Sequence, residues 1–400
     1  MALARRQTCR DGLSEKARSV TPIVTALLVA ANLFFAWREF DVIRRSRTSI
    51  QTRGPAEGLP SLSIVVPSRN EERQIERCVR SLLASRHPDF EIIAVDDHSS
   101  DATLAILERI AADAPRLTVV RGAPLPQGWV GKSWAVTQGA DVARGEWLLF
   151  TDADTVHEPL AASSAQQSAI DGGYDVISLL TDQQTLGLAE RLFLPTILFV
   201  ILLGIGSLDD VNDPRKWDTA LFNGQYIMAS RAAYRAIGGH FAVRSAVAED
   251  LELARRFKRD GRFRSLLAGA NALVRTRMYR SFGEIWRGFV KNFALGARGN
   301  GEKAFAGVSL LACISLISPI LLVVLLASRA WFWALALALA MGAVVAVAEN
   351  GMRAMRFRPG SGLAVPLGLA LTLAIFSTSL VRMYGGRGVE WRGRRYSGGF

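Results

Sequence analysis

Two carboxylates stand two residues apart in this chain, directly after an apolar run that ends at Phe150. Asp152 and Asp154 can both reach one hard cation if the backbone turns between them, and Mg²⁺ is usually held by one or two carboxylates together with phosphate oxygens and water. Such an ion neutralises the charge that develops when a bond to a diphosphate breaks. The same triplet is also common as a turn or a helix cap, so its interpretation depends on its surroundings.

A second acidic pair, Asp96-Asp97, follows the run Glu91–Val95. A carboxylate at the end of a strand can accept a hydrogen bond from a ribose hydroxyl or from the N–H of a base. The segment Asp96–Asp101 is equally suited to an ordinary turn, because Asp, His and Ser stabilise turns in any protein. Taken alone, the pair leaves both interpretations open.

Lys132 follows Gly131 in a segment that looks at first like a phosphate-binding loop. The spacing of a P-loop fails, because Pro126 stands where its first glycine is needed. A helix that begins near Ser133 would still place Lys132 at a positive helix end, which suits a phosphate. The alternative is a solvated surface lysine.

A third acidic pair, Glu249-Asp250, precedes the amphipathic run Leu251–Phe257. Acidic residues at this position can simply complement the helix dipole. The functional interpretation makes Asp250 a general base that takes the proton from an acceptor hydroxyl. Gly238-Gly239, shortly before, would allow a ligand close to the backbone.

Strand and helix patterns alternate between residues 61 and 300. This alternation predicts an α/β fold with a mostly parallel sheet, and ligands of such sheets bind at the carboxyl ends of the strands. The candidate polar groups at 68–71, 96–97 and 152–154 all follow predicted strands, so we expect one shared site. The predicted strands are Ser63–Pro67, Glu91–Val95, Leu117–Val120 and Trp147–Phe150.

The order of these groups along the chain resembles that of the family 2 glycosyltransferases. The resemblance covers about residues 61–300 and implies a GT-A fold, which is a Rossmann-like nucleotide-sugar-binding domain, and an inverting reaction. The motifs that carry it are, in order, Pro67–Glu72, Val95–Asp101, Gly131-Lys132, Asp152–Asp154, Gly238-Gly239 and Glu249-Asp250.

The resemblance also implies a role for each group. Asp250 is expected to be the catalytic base, while Asp152 and Asp154 would hold Mg²⁺ or Mn²⁺ and, through it, the diphosphate of a nucleotide sugar. A UDP-sugar is the expected donor. One base and a metal fit displacement with inversion, whereas a glycosidase needs two carboxylates that flank the bond. The residues expected to contact the nucleotide sugar are Pro67, Arg69, Glu71, Asp96, Asp97, Lys132 and Asp152.

Composition places this chemistry at a membrane. The chain has 400 residues, of which 50% are hydrophobic, and a net charge of +12. Its basic residues flank apolar runs, which is typical of membrane topology and anionic-lipid contact and argues against nucleic-acid binding. Three cysteines without metal-ligand spacing give no disulfide or zinc framework, which fits a reducing compartment.

The apolar runs lie at both ends of the chain. We expect a basic segment at 1–20, a transmembrane anchor at 21–37, three C-terminal transmembrane segments within 304–382 and a basic tail at 383–400. A cleaved signal peptide is the alternative for the first run, but cleavage would send the nucleotide-sugar site to the wrong compartment. The pattern predicts a multi-pass protein of the bacterial inner membrane with its catalytic domain in the cytoplasm. The predicted C-terminal segments are Ala304–Ala327, Ala330–Ala348 and Leu363–Val381, and Pro366 and Gly368 suggest that the last is bent or crosses only partly.

A further apolar run, residues 188–208, lies inside the catalytic domain. It cannot span the membrane once, because Asp154 before it and Asp250 after it must meet in one site. It is either a buried core helix or a segment that dips into the membrane, and we favour the second. A membrane-dipping segment beside the active site indicates a lipid acceptor.

The layout as a whole resembles bacterial hopene-associated and carotenoid-type glycosyltransferases. It is also similar to ceramide glucosyltransferases, which are one alternative. A polysaccharide-type transferase is another, but three C-terminal segments are few for a channel and the Gln/Arg-x-x-Arg-Trp motif of processive synthases is absent. Arg280, Trp286 and Lys291 stand in that region without an assigned role. The expected function is therefore metal-dependent, inverting transfer of a sugar to a terpenoid, hopanoid, carotenoid or other membrane lipid.

Overall fold

The computed structural model describes residues 2–54, 57–296, 301–384, 389–391 and 394–396, and describes side chains for 21–54, 57–293 and 306–382. The side chains of the basic segment 1–20 and of the basic tail 383–400 therefore lie outside the described part of the chain.

The strands that position the candidate site form a seven-stranded and a three-stranded sheet. They are β1 Leu62–Ser68, β2 Phe90–Asp96, β3 Leu117–Arg121, β4 Trp147–Thr151, β5 Thr155–His157, β6 Val176–Leu180, β7 Asp182–Gln183, β8 Tyr226–Ser230, β9 Ser265–Gly269 and β10 Val274–Thr276. Two short strands near the C-terminus, Val389–Trp391 and Arg394–Tyr396, pair with each other.

The large sheet has the order β3-β2-β1-β4-β8-β6-β9, and its neighbours are parallel except where β8 pairs with β4 and β6. The expected mostly parallel GT-A-like sheet is thus confirmed. The β1 residues Ile64 and Val65 are both fully buried and belong to separate apolar clusters on the two faces of the sheet. Burial of both faces explains why these strands are continuous apolar runs instead of alternating ones.

Helices cover the faces of the sheet and extend beyond it. They are α1 Ala2–Arg44, α2 Ile75–Leu83, α3 Thr103–Ala111, α4 Gly131–Val142, α5 Ala161–Gly172, α6 Leu188–Ile205, α7 Leu208–Asn212, α8 Arg231–Ala236, α9 Glu249–Asp260, α10 Phe282–Gly296, α11 Gly301–Ala312, α12 Ser318–Ala327, α13 Trp331–Ala354 and α14 Val365–Tyr384. A π-helical turn, Cys313–Ile317, joins α11 to α12.

Five helical segments of the described chain are long and apolar enough to cross a membrane: Thr21–Arg44, Leu188–Ile205, Ala306–Ala327, Trp331–Ala354 and Ser361–Arg382. Those at the two ends of the chain confirm the expected apolar helices there. Their outer faces expose large apolar side chains, such as Phe332 at 74% and Ile320 at 66%. Exposed apolar surface of this kind marks contact with lipid or with a partner.

The last apolar helix, α14, is continuous from Val365 to Tyr384. Pro366 occupies its first turn, where a missing N–H is tolerated. Gly368 lies against Thr196 of α6, and a Cβ at this position would overlap the Thr196 side chain. The two residues that suggested a bend thus begin the helix and allow its close packing on α6.

The helix α6 is fastened to the catalytic domain near both of its ends. Near its start the buried carboxylate of Glu190 lies 2.8 Å from Arg277, which follows β10. Beyond its end Asp210 pairs with Arg45 at 2.8 Å, and Asn212 donates to the carbonyl of Leu267 on β9 at 2.9 Å. Along its length α6 packs on α10 and α14. It therefore lies between the catalytic sheet and the C-terminal helices.

The helix α4 packs closely on the sheet at Gly139, and a mutation there can test this contact. We expect Gly139→Ala to lower the free energy of unfolding by about 1–3 kcal/mol, as overpacking does, because the added Cβ would overlap Val65 of β1. Gly54→Ala is the matched control, since a Cβ there meets no atom within 4 Å. Thermal unfolding of both variants in detergent measures the difference, and equal melting temperatures would contradict the close packing.

Candidate active site

The loops that follow β1 and β2 are joined to each other at the carboxyl edge of the sheet. The N–H of Asn70 donates to Ser99 at 3.0 Å, and the N–H of Ser100 donates to the Asn70 side chain at 2.8 Å. Both Asn70 and His98 have a φ of 54°, a left-handed conformation in which Asn and His are enriched. The sequence motifs at 67–72 and 95–101 thus form one structural unit.

Within this unit the expected nucleoside-binding residues lie together. The Arg69 guanidinium donates to the carbonyl of Asp97 at 2.6 Å, and the side chain of Asp97 is nearly buried. Asp96 is buried as well, and one of its oxygens accepts from Ser99 at 3.2 Å. Its other oxygen, Oδ1, has no hydrogen-bond partner among the described residues. A buried acceptor of this kind can receive a donor from a ligand.

Core side chains make polar contacts with the backbone of the turn at Asp152–Asp154. Thr155 donates to the carbonyl of Asp152 at 2.7 Å, and the Cys78 thiol lies 3.7 Å from the same oxygen. Burial raises the pKa of Cys78 to about 12, so the thiol stays neutral beneath the turn. On the other side, Thr276 of β10 donates to the carbonyl of Asp154 at 3.2 Å. These contacts fix the backbone that carries the two carboxylates.

Lys132 lies between two carboxylates. Its ammonium nitrogen is 2.8 Å from Asp152 and 2.9 Å from Glu249. Burial disfavours the charged amine, but the charges of Asp152, Glu249 and Asp250 outweigh burial and raise the pKa of Lys132. The lysine therefore joins the start of α4, the end of β4 and the start of α9, and these two ion pairs exist before any phosphate arrives.

Asp250 is held by two backbone N–H groups. Gly224 donates to one carboxylate oxygen at 3.1 Å, and Leu251 donates to the other at 2.8 Å. Burial and the charge of Glu249 raise the pKa of Asp250 to about 6, against the lowering effect of Lys132. A side chain whose pKa lies near the working pH is suited to act as a general base.

There is little room for a side chain at Gly224. A Cβ at this position would lie 3.0 Å from both the Asp250 carboxylate and the Lys132 amine. Its role was missed from the sequence, because nothing in the segment Asn223–Gln225 indicates a contact with α4 and α9. The supporting roles of Cys78 and Thr276 were missed for the same reason.

Two buried histidines near the site are unsuited to proton transfer. His240 accepts or donates a hydrogen bond with Tyr234 at 2.9 Å, and burial together with Lys132 lowers its pKa to about 3. His157 lies beneath the turn beside Thr151 and Thr155, and burial lowers its pKa to about 3 as well. Both imidazoles are therefore neutral near pH 7.

The donor set fits a hard divalent cation that shares its coordination with a ligand. Among the described residues no group of three or more His, Cys, Asp or Glu side chains is arranged to hold a metal. Two carboxylates at a strand end are what Mg²⁺ usually takes from a protein when phosphate oxygens and water supply the rest. Around Lys132, moreover, three carboxylates outnumber one ammonium, so the site carries a surplus of negative charge.

Comparison with known proteins identifies the domain that carries most of these residues. The family model "Glycosyl transferase family 2" matches residues 63–236, the part of the chain that contains the turn and most of the large sheet. A mannosyltransferase from Pyrobaculum calidifontis, solved with GDP-Man and Mn2+, is 16% identical, covers 92% of this chain and 99% of its own, and superposes with a TM-score of 0.52. At this identity the likeness concerns the fold.

Two curated relatives are also transferases. The 4,4'-diaponeurosporenoate glycosyltransferase of Staphylococcus aureus (strain N315) is 24% identical over 384 residues, which are 95% of this chain and 97% of that protein. A GalNAc(5)-diNAcBac-PP-undecaprenol beta-1,3-glucosyltransferase of Campylobacter jejuni is 32% identical over 114 residues, which are 28% of this chain and 36% of that protein. Residues 63–236 are a family 2 glycosyltransferase domain, and the chain is a glycosyltransferase.

Proposed function

We propose that this glycosyltransferase moves a sugar from a nucleotide sugar to a membrane lipid, with inversion and with the help of a divalent cation. The observation that carries the proposal is the position of Asp250. Its carboxylate is fixed by Gly224 and lies beside Lys132, which is itself paired with Asp152 of the acidic turn. One base and one candidate metal site thus adjoin at the carboxyl edge of the sheet.

The proposed inversion is supported by one carboxylate that is placed to act as a base. Inversion needs one base that removes the proton from the attacking hydroxyl. Glu249 is the only immediate alternative to Asp250 on α9, but it is buried and paired with Lys132 at 2.9 Å. Asp250 keeps a pKa of about 6 and is therefore ionised in most molecules near pH 7. We assign proton removal to Asp250.

The donor would lie along the edge formed by β1, β2 and β4. Arg69, Asp96 and Asp97, together with the loop from Pro67 to Glu71, would hold the nucleoside, because the loops there are joined and Asp96 keeps a buried acceptor. Asp152 and Asp154 would hold Mg²⁺ or Mn²⁺, which supplies charge neutralisation at the diphosphate. We propose a UDP-sugar as the donor and compare it with a GDP-sugar, since a protein of the same fold was solved with GDP-Man.

The acceptor class rests on the apolar helices and on the relatives. One relative is named for a carotenoid-type carboxylate and another for an undecaprenol-linked glycan, and the first aligns over 95% of this chain. The helix α6 is apolar, yet it is fastened to the catalytic domain near both ends, through Glu190 and through Asp210. We therefore propose that α6 lies in the membrane interface beside the site and does not cross the bilayer.

The orientation follows from basic residues at helix ends. Arg45, just after α1, pairs with Asp210 at 2.8 Å, and Arg356, just after α13, pairs with Asp182 at 3.0 Å. The C-terminal ends of both helices thus lie at the catalytic domain, and both carry arginines. Because basic residues favour the cytoplasmic side, we propose a multi-pass protein of the bacterial inner membrane whose catalytic domain faces the cytoplasm.

The first prediction concerns the base. Asp250→Asn keeps the shape of the side chain but cannot take a proton, so we expect kcat to fall by about 10²–10⁴-fold, with nucleotide-sugar binding retained. Asp260→Asn, at the other end of the same helix, where Asp260 pairs with Arg262, is the control and should leave kcat unchanged. Transfer to membrane lipids and calorimetric binding of the donor measure the two effects. Wild-type turnover in Asp250→Asn would remove Asp250 as the base.

The second prediction concerns pH. Since the base acts when deprotonated, activity should rise with pH through about 6, the pKa of Asp250. Lys132→Met removes the charge that lowers this pKa and should move the acidic limb of the kcat profile to higher pH. Glu249→Gln removes a charge that raises it and should move the limb to lower pH. A pH series of initial rates for both variants decides, and shifts in the same direction would contradict the assignment.

The third prediction concerns the metal. Asp154→Ala should lower metal-dependent transfer by more than about 100-fold, because a metal contributes several kcal/mol to the transition state. Asp141→Ala removes an exposed carboxylate on α4 and serves as the control. Rates are measured while Mg²⁺ or Mn²⁺ is titrated after chelation. Full activity of Asp154→Ala, or activity that chelation leaves intact, would contradict the metal site.

A further inference from the structure

An apolar surface stands exposed where α6 and α10 begin. Leu188 is 73% exposed, Leu186 51% and Phe282 46%. The partly buried rings of Phe193 and Trp286 complete it, since Phe282 lies 5.6 Å from the first and 6.2 Å from the second between ring centroids. We call these five residues the entry surface. Contiguous exposed apolar side chains of this kind mark a binding site for an apolar partner.

The entry surface is continuous with the helices that can contact the bilayer. Behind it, α10 packs on α14, where Phe293 meets Phe376 at 5.2 Å and Ser379 donates to the carbonyl of Val290 at 2.8 Å. The helix α6 packs on α14 as well, at Gly368. The entry surface thus lies on helices that pack against α14, one of the helices apolar enough to cross a membrane.

A polar cavity of about 280 Å³ adjoins the entry surface. It lies between the loop after β1 and the start of α10, and Phe282 follows its lining residue Arg280 by two positions. Its lining residues are Asn70, Glu71, Glu72, Arg73, Gln74, Asp101, Met278, Arg280 and Glu284. A polar cavity beside an apolar surface matches a ligand with a polar head and an apolar chain.

The segment between the surface and the metal turn is rigidly placed. Its residues alternate, so that Met278 and Arg280 line the cavity while Arg277 and Tyr279 point inward. Arg277 pairs with the fully buried Glu190 of α6 at 2.8 Å. Just before the segment, the Thr276 hydroxyl donates to the carbonyl of Asp154 at 3.2 Å. The cavity wall is therefore fixed to α6 on one side and adjoins the candidate metal turn on the other.

From these contacts we propose that the entry surface binds the apolar chain of the acceptor lipid and that the side of the cavity formed by Met278, Arg280 and Glu284 guides its polar head past the nucleoside loop toward the acidic turn. The proposal rests on the lipid acceptor proposed above and specifies where that lipid binds. The aliphatic and aromatic side chains of the entry surface suit a hydrocarbon chain of the isoprenoid type. Burial of two of these side chains under such a chain stabilises the complex by the ordinary hydrophobic effect.

The experiment uses the full chain in lipid nanodiscs and a photoactivatable analogue of the isoprenoid alcohol farnesol. We expect mass spectrometry to map the cross-links to residues 186–193 and 278–286, with labelling suppressed by unlabelled farnesol but not by the short alcohol prenol. Leu188→Ser combined with Phe282→Ser should reduce this labelling by about tenfold or more, because two apolar contacts are lost.

The control replaces exposed apolar residues of the C-terminal helices. Ile320→Ser combined with Phe332→Ser removes one aliphatic and one aromatic side chain with exposures of 66% and 74%, and should leave the labelling unchanged. Labelling spread over all apolar helices, or an equal reduction in both double variants, would show that the surface only contacts bulk lipid and would overturn the proposal.

The experiment distinguishes a wrong entry surface from a wrong proposed function. Labelling needs no turnover and is measured in the Asp250→Asn background as well as in the wild type. If labelling is specific and suppressed by farnesol while no lipid is ever glycosylated, the binding surface stands and the lipid transferase function fails. If lipids are glycosylated while cross-links map elsewhere, the function stands and the entry surface is wrong.

Discussion

One ammonium group joins three parts of the chain that are far apart in sequence. Lys132, at the start of α4, lies 2.8 Å from Asp152 after β4 and 2.9 Å from Glu249 at the start of α9. A charge withdrawn from water is unfavourable unless it is paired with excellent geometry. The Glu249 carboxylate is the most buried of the three, so it is the group that most needs this pairing, while Lys132 and Asp152 stay partly exposed. The pairing brings the start of α9 to the start of α4 and places Asp250 beside the acidic turn.

The charges of this cluster do not cancel, and the excess negative charge has a chemical use. Three carboxylates surround one ammonium, so a surplus of negative charge remains, and burial together with Glu249 keeps the pKa of Asp250 near 6. A site with surplus negative charge attracts a divalent cation, and a cation that needs only two protein carboxylates leaves its other positions to a diphosphate. The electrostatics that tune the base and those that would hold the metal are thus one property of the cluster.

The sequence predicted the parts of the site that depend on local pattern. Apolar β-branched runs followed by acidic residues placed Asp97 and Asp152 at the carboxyl edge of a parallel sheet, and the order of strands and helices confirmed the fold class. The partners of these residues could not be predicted, because Gly224, Cys78 and Thr276 reach the site only through tertiary packing. Lys132 was expected at a phosphate, which stays a prediction, and its ion pairs with Asp152 and Glu249 were not foreseen. The sequence pattern predicts where a strand ends, but it does not predict which side chain from a distant part of the sequence contacts that end.

A transferase that joins a water-soluble donor to a lipid must bind one ligand from water and the other from the membrane in a single active site. The carboxyl edge of β1 and β2 is where we propose that the nucleotide binds, whereas α6 and α10 pack on the apolar helix α14. In our proposal the two meet at the segment from Arg277 to Phe282, which is fixed by the buried Glu190 pair and follows Thr276, a donor to the carbonyl of Asp154. A buried ion pair is weak evidence for stability, since apolar residues of similar volume would serve as well. Its value here is positional, because a directional pair sets the position of α6 relative to β10 and the acidic turn, which packing of apolar side chains alone would leave less defined.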